Sequence, residues 1–186
     1  MDHGSNVIDE LVTDHRTVEE LFGRVEVLPS GDRRRKLFAD RAITELVRHA
    51  VAEEAYLYPA VRRHLAHGEA RADKEIDDHS RAEEIMKDLE FRDADDADFD
   101  RLLGMLVIEV RSHMEDEEAD LFPALRASCD EDSLNRLGGR VRRARETAPI
   151  RPHPDAPDAA SAGRLLAPGA GMVDRMREAL VGGEGE

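Results

Sequence analysis

The chain is poor in the residues on which several common kinds of fold and function depend. It has a single cysteine, Cys129, so no intramolecular disulfide can form. Tryptophan is absent, and 186 residues include only two tyrosines and five phenylalanines. A β-sandwich, whose core draws on aromatic and β-branched side chains, fits that composition poorly. No apolar run approaches the length of a membrane span, so no membrane partner is expected. The start Met1-Asp2-His3-Gly4 has neither the basic residues nor the apolar stretch of a secretory leader. These absences lead to the expectation of a reduced, soluble, cytoplasmic protein. Positive charge is scarce too, the formal net charge being −15. Phosphate contact depends on clustered Lys and Arg, so nucleic acid is not an expected partner. The short basic runs Arg33 to Lys36 and Arg140 to Arg145 read as solvated helix faces.

What is abundant is charge, at 37% of residues, arranged around apolar positions that recur every three or four places. Four amphipathic segments follow from that spacing: about Asn6 to Leu28, Arg33 to Ala66, Glu69 to Glu90, and Phe99 to Ser128. Asp32, after the Pro29-Ser30-Gly31 turn, is a natural N-cap for the second. Pro59 and Pro123 fall inside the second and fourth segments, where each should kink its helix or end its regular part. Short links between long helices predict an all-α, antiparallel up-down four-helix bundle. A short fifth helix, capped around Asp132-Ser133, extends the domain to residue 147. Residues 148–186 form a tail: Pro149 to Gly171 is rich in Pro, Ala and Gly without periodicity, and Met172 to Val181 has the pattern of a short terminal helix.

The chain also repeats itself. Asp14-His15 through Glu20 matches Asp78-His79 through Glu84, and His49 through Ala60 matches His113 through Ala124. Both matches share one offset of 64 residues, so helices one and two duplicate helices three and four. Each half contributes two histidines. His49 and Glu53 sit in the apolar stripe Ala42, Leu46, Leu57, and His113 and Glu117 in the stripe Leu106, Val110, Leu121. His79 and Glu83 do the same on helix three. A lone histidine on an apolar face is ordinarily a satisfied core residue, and a His–Glu pair four apart is often a surface ion pair. Four such positions, in two matched halves and in phase with the core, are different. Burying an unpaired carboxylate costs several kcal/mol, on the order of a domain's whole net stability. Convergence of these groups calls for a compensating cation, and imidazoles with carboxylates are what a two-metal site between facing helices uses. No His-Glu-x-x-His is present, and no histidine follows a glutamate by three, which disfavours zincin and ferritin-like sites. Carboxylates able to bridge, several imidazoles and no thiolate favour iron.

These residues resemble the hemerythrin-like (HHE cation-binding) family: a His on helix one, His-x-x-x-Glu followed by Leu-Tyr/Phe-Pro on helices two and four, and a His-based pair on helix three. The resemblance covers about residues 6 to 128. It implies His15, His49, His79 and His113 as terminal ligands, with Glu53 and Glu117 bridging two irons in an oxo- or hydroxo-bridged centre. Two departures stand out. Oxygen-carrying members have a histidine where this chain has Glu83, and they place the helix-four carboxylate one residue later, at the position of Glu118. An offset of four residues turns about 40° from the histidine and an offset of five about 140°, so Glu117 is the expected ligand. Glu83 is expected to join the metal, while Glu19, its counterpart in the repeat, stays open between ligand and outer partner. A carboxylate in place of an imidazole favours the ferric state and weakens reversible oxygen carriage. Tyr56, three residues after Glu53, is read either as a core tyrosine or as a phenol facing the bound ligand.

The leading functional expectation is a non-haem diiron protein that binds O2 or a related small ligand (peroxide, nitric oxide) for sensing, storage or detoxification. The alternatives are a peroxide-decomposing enzyme, which Glu83 and Tyr56 favour, and an iron-responsive module whose tail engages a partner. Nothing in the sequence decides the oligomeric state.

Overall fold

Asn6 starts the first helix by accepting hydrogen bonds from the Ile8 and Asp9 amides, which have no partner within the helix. The computed structural model describes residues 5–148, and among these every regular element is helical. The helices are α1 (Val7–Glu26), α2 (Arg33–Ala52), α3 (Tyr58–His64), α4 (Gly68–Glu90), α5 (Phe99–Asp116), α6 (Phe122–Ser128) and α7 (Glu131–Thr147). A turn of π-helix at Glu53–Leu57 joins α2 to α3, and another at Glu117–Leu121 joins α5 to α6. Four long rods result, namely α1, α2–α3, α4 and α5–α6, and they form the antiparallel hemerythrin-like bundle. Gly31 closes the first turn at φ 79°, a conformation glycine adopts without strain, and Asp32 then caps α2 through the Arg34 amide.

As expected the regular α-helix stops ahead of each proline, at Ala52 and Asp116, but the rod continues through a π turn. Proline donates no hydrogen bond, and its ring crowds the carbonyl one turn back. In each rod the amide just before the proline, that of Tyr58 or Phe122, reaches back five residues to the carbonyl of Glu53 or Glu117. The helix thus absorbs the proline by widening one turn and continues. That extra residue rotates everything beyond it about the helix axis, with consequences for the site.

The fifth helix begins at Glu131 rather than Asp132. Its cap is Asp130, whose carboxylate accepts from the Ser133 amide at 2.7 Å. α7 lies against α1 and α2 and buries Leu134, Gly138 and Val141. Gly138 is required by that crossing, because a Cβ there would stand 2.5 Å from the Ser5 carbonyl oxygen and 2.9 Å from the Val7 nitrogen. The tail expected over residues 149–171 and the terminal helix expected over Met172 to Val181 lie outside the described residues. Among the described residues no helix is long and apolar enough to cross a membrane.

Two apolar clusters fill the bundle. One holds Val18, Phe22, Val47, Met86, Phe99 and Leu106, and the other Leu11, Leu57, Tyr58, Ile76, Leu121 and Phe122. Each long rod passes from one cluster to the other, as α1 does between Leu11 and Val18 and α4 between Ile76 and Met86. The histidines fall in the layer between, on α1 at His15 and on α4 at His79.

Candidate metal centre

The polar layer is fully enclosed. Glu53 and Glu117 are 0% exposed, and the four histidines are between 1% and 8% exposed. Within each half the two imidazoles meet edge to face, His15 on His49 with centroids 4.9 Å apart and His79 on His113 at 4.8 Å. The pseudo-two-fold symmetry inferred from the repeat therefore extends to ring orientation. In both pairs the Nε2 atoms converge, at 3.2 Å.

Glu53 lies between these pairs. Its Oε2 is 3.1 Å from His49 Nε2 and 3.3 Å from His79 Nε2, so one carboxylate reaches both halves. Glu117 Oε2 does likewise, 3.4 Å from His15 Nε2 and 3.7 Å from His113 Nε2. Ligand atoms of His15, His49, Glu53 and Glu117 all lie within 4.8 Å of one another, and the same holds for Glu53, His79 and His113. The α-helical spacing of four residues puts each His–Glu pair on one face, as expected.

The outward Nδ1 atoms face carboxylates. Glu118 stands 2.8 Å from His15 Nδ1, and its repeat counterpart Glu54 stands 3.1 Å from His79 Nδ1. Asp14 approaches His49 Nδ1 at 3.4 Å, and Glu75 approaches His113 Nδ1 at 2.9 Å. A carboxylate accepting from Nδ1 leaves the Nε2 lone pair free to face inward, which is the arrangement of a metal-binding histidine. Three cations brace these carboxylates: Arg145 of α7 lies 2.7 Å from Asp14, Arg16 2.5 Å from Glu118 and Lys74 3.4 Å from Glu75.

Without a metal this arrangement can be balanced only by protons. Burial alone would depress His49, but Glu53 and Asp14 outweigh it and raise the imidazole to about 10. Burial likewise opposes the charge on His113, yet Glu117, with Asp78 and Glu75, holds it well above the usual histidine range. Burial would raise Glu53, and the adjoining His49 and His79 instead hold it well below the ordinary carboxylate range. Even so, Glu53 Oε1 and Glu117 Oε2 accept no hydrogen bond despite complete burial. Inward-facing imidazoles and orphaned carboxylate oxygens in two adjoining groups fit a pair of metal ions.

The structure bears on three residues that the sequence singled out, Tyr56, Glu83 and Glu19. The tyrosine in this layer is Tyr58, not Tyr56. Tyr58 is 0% exposed, and its hydroxyl lies 3.1 Å from His79 Nε2, 3.2 Å from Glu117 Oε1 and 3.3 Å from Glu53 Oε2. Tyr56 is partly buried against the apolar cluster around Leu57. The reason is the π turn: counting 3.6 residues per turn from Glu53 selects Tyr56, whereas the widened turn brings Tyr58 round. Glu83 is buried but belongs to none of the ligand groups; its carboxylate pairs with Lys87 at 2.8 Å. Glu19 is held by the Arg111 guanidinium at 3.0 Å, away from the histidines.

Sequence reasoning missed Glu54, Glu118, Asp14, Glu75 and Tyr58. For Glu54, Glu118 and Asp14 a signal existed, since each recurs in the repeat beside a histidine or glutamate already singled out. Glu75 had none, because its counterpart in the other half is Leu11. The repeat also breaks at Tyr58, whose counterpart Phe122 stacks on His15 with centroids 5.7 Å apart.

A bundle with this histidine–carboxylate layer defines a metal-binding helical domain. The Hemerythrin HHE cation binding domain matches residues 6–125, and the chain belongs to that family. It is similar to an uncharacterized hemerythrin-like protein of Schizosaccharomyces pombe, 22% identical over 177 residues, covering 95% of this chain and 87% of the other. The fold is also similar to the crystal structure of a Hemerythrin HHE cation binding domain-containing protein from Mycobacterium kansasii. That likeness has a TM-score of 0.61 at 20% identity, and it covers 76% of this chain and 88% of that one.

Proposed function

We propose that this chain is a non-haem diiron protein that binds O2 or a related small ligand such as peroxide or nitric oxide. In this reading His15, His49, His79 and His113, together with the carboxylates Glu53 and Glu117, would hold two irons. The observation that carries it is the pairing of inward Nε2 atoms on either side of two buried carboxylates with orphaned oxygens. Bound iron would supply the redox chemistry toward oxygen species. The chain's own residues orient the imidazoles, through Glu118, Asp14, Glu54 and Glu75, and exclude bulk water.

Ligand size is limited by the surroundings. A cavity of about 30 Å³ adjoins the four histidines and is walled by Val18, Leu46, Ala82, Met86, Val110 and Met114. That is room for a water-sized or diatomic species, in walls that offer few polar partners.

The second reading, peroxide decomposition, is favoured by Tyr58. Burial, and then the neighbouring Glu117 and Glu53, push its phenol well above the ordinary tyrosine range, so it stays protonated and serves as a hydrogen-bond donor. A neutral phenol 3.1 Å from His79 Nε2 stands where it can hydrogen-bond an oxygen species in the layer. Purified protein should carry about two irons per chain, and His49→Ala and His113→Ala should each lose iron. Reversible spectral change on oxygenation supports ligand carriage, whereas gas evolution from peroxide with the centre intact supports the enzyme. Metal-free protein of full stability and unaltered reactivity would sink both readings.

A further inference from the structure

Away from the metal centre the surface is strongly acidic, yet one cleft is basic. It lies between the end of α3 and one face of α7, has a volume of about 180 Å³, and is lined by Arg63, His64, Cys129, Ser133, Arg136 and Arg140. It shares no residue with the histidine–carboxylate layer. Arg136 and Arg140 are one turn apart on α7, with Ser133 one turn before Arg136, so all three point from a single helix face. Arg63 approaches from α3. Most other arginines among the described residues are tied into ion pairs, as Arg62 is to Asp73 and Arg142 to Glu10, Arg33, Arg41 and Arg143 being exceptions outside the cleft. Arg63, Arg136 and Arg140 form no ion pair among the described residues. Arg136 instead donates to Ser133 Oγ at 2.8 Å. Asp130 feels the charge of Arg136 and His64, but its carboxylate is engaged as the cap of α7.

Three guanidinium groups line one cleft without an ion-pair partner among the described residues, and a dianion between them would offset their mutual repulsion. Guanidinium forks donate to tetrahedral oxyanions, whose oxygens accept on several faces where a carboxylate occupies one fork. Three arginines less the Asp130 charge leave two positive charges, the complement of a phosphate dianion. An extended polyanion gains nothing here, because the net charge of −15 repels every segment beyond the cleft. Ala60 and Leu137 supply an apolar floor. We propose that this cleft binds a small phosphate-bearing ligand, either free phosphate or a phosphomonoester, through Arg63, Arg136 and Arg140.

The test is calorimetric titration of the full iron-loaded chain, at constant ionic strength, with inorganic phosphate and separately with glycerol 3-phosphate. Saturable binding at one site per chain is expected. It should weaken by roughly tenfold or more in Arg136→Gln/Arg140→Gln and in Arg63→Gln, and stay unchanged in Arg41→Gln, an exposed arginine remote from the cleft. Cys129 gives an independent readout, since phosphate should slow its alkylation by iodoacetamide. Tighter binding of glycerol 3-phosphate assigns the cleft to phosphomonoesters, and equal or weaker binding assigns it to the free ion. Absence of saturable binding overturns the proposal. Equal binding in the double variant does so too, as does phosphate uptake seen only in the absorption of the metal centre with Cys129 unprotected.

Discussion

Tyr58→Phe tests how the site divides metal holding from ligand handling. The phenol is fully buried, and its hydroxyl has three partners in range, two of them the carboxylates Glu53 and Glu117. One O–H donates to one acceptor at a time, so the variant loses a single charge-assisted hydrogen bond, gross value about 1.5–3 kcal/mol. Ring volume is conserved, and Phe122 shows that the bundle accepts phenylalanine at the equivalent position of the other half, stacked on His15. The variant also no longer buries a hydroxyl, which offsets part of the loss. A net destabilisation of about 1–2 kcal/mol follows, or a Tm lower by roughly 2–6 °C for a domain of this size. Iron content per chain should stay at the wild-type value, because Tyr58 contributes none of the inward Nε2 or orphaned carboxylate atoms. Peroxide consumption or small-ligand affinity should fall. Differential scanning calorimetry, metal analysis and oxygen-electrode measurement on the same preparation read all three. Iron loss in Tyr58→Phe would make the phenol a direct ligand. Unchanged peroxide handling with a lowered Tm would make the hydroxyl purely structural, and the peroxide reading would lose its support.

Further expectations concern the outer layers and the proton balance. His49 has a folded-state pKa raised to about 10 from 6.5, so its protonation contributes fully to metal-free stability below pH 6.5 and loses that contribution as pH rises toward 10. Urea melts of the metal-free chain should therefore weaken across that window, and the stabilisation gained on adding ferrous iron should grow; a gain independent of pH contradicts this balance. Arg145→Met should destabilise by on the order of 1–2 kcal/mol, because it leaves Asp14, 4% exposed, with His49 alone. Repeating it on Asp14→Asn should show most of that loss gone, and full additivity would mean the two do not interact. Gly138→Ala should cost about 1–3 kcal/mol, since its Cβ meets the Ser5 and Val7 backbone, whereas Gly23→Ala, with open space around it, should gain up to about 1 kcal/mol in thermal melts.

Much of the fold was readable because the relevant patterns are local. Apolar residues every three or four positions place the long helices, and Asp32 after Gly31 marks the start of α2 within one residue. The repeat carries the symmetry, since His15 and His79, or His49 and His113, differ only by half of the bundle. The site was readable to the same depth. His49–Glu53 and His113–Glu117 share helix faces before the π turns begin, so α-helical counting works for them. It fails immediately afterwards, at Tyr58, where the phase has shifted.

What the chain by itself determined is the middle of the buried layer, four imidazoles with Glu53 and Glu117 set in apolar stripes, while Asp14, Glu75 and Tyr58, buried beside them, emerge only from the packed structure. Tertiary structure alone decided the partners. Glu19 goes to Arg111 of another rod, whereas Glu83, at the same repeat position four residues after a histidine, pairs with Lys87 one turn along its own helix. It also assigned Glu118 of the fourth rod to His15 and Arg145 of α7 to Asp14, pairings across 103 and 131 residues of chain. The physical reason is reach. Helical periodicity states which way a residue faces along its own rod. A long charged side chain chooses among whatever neighbouring rods present, and that choice exists only once the rods are packed.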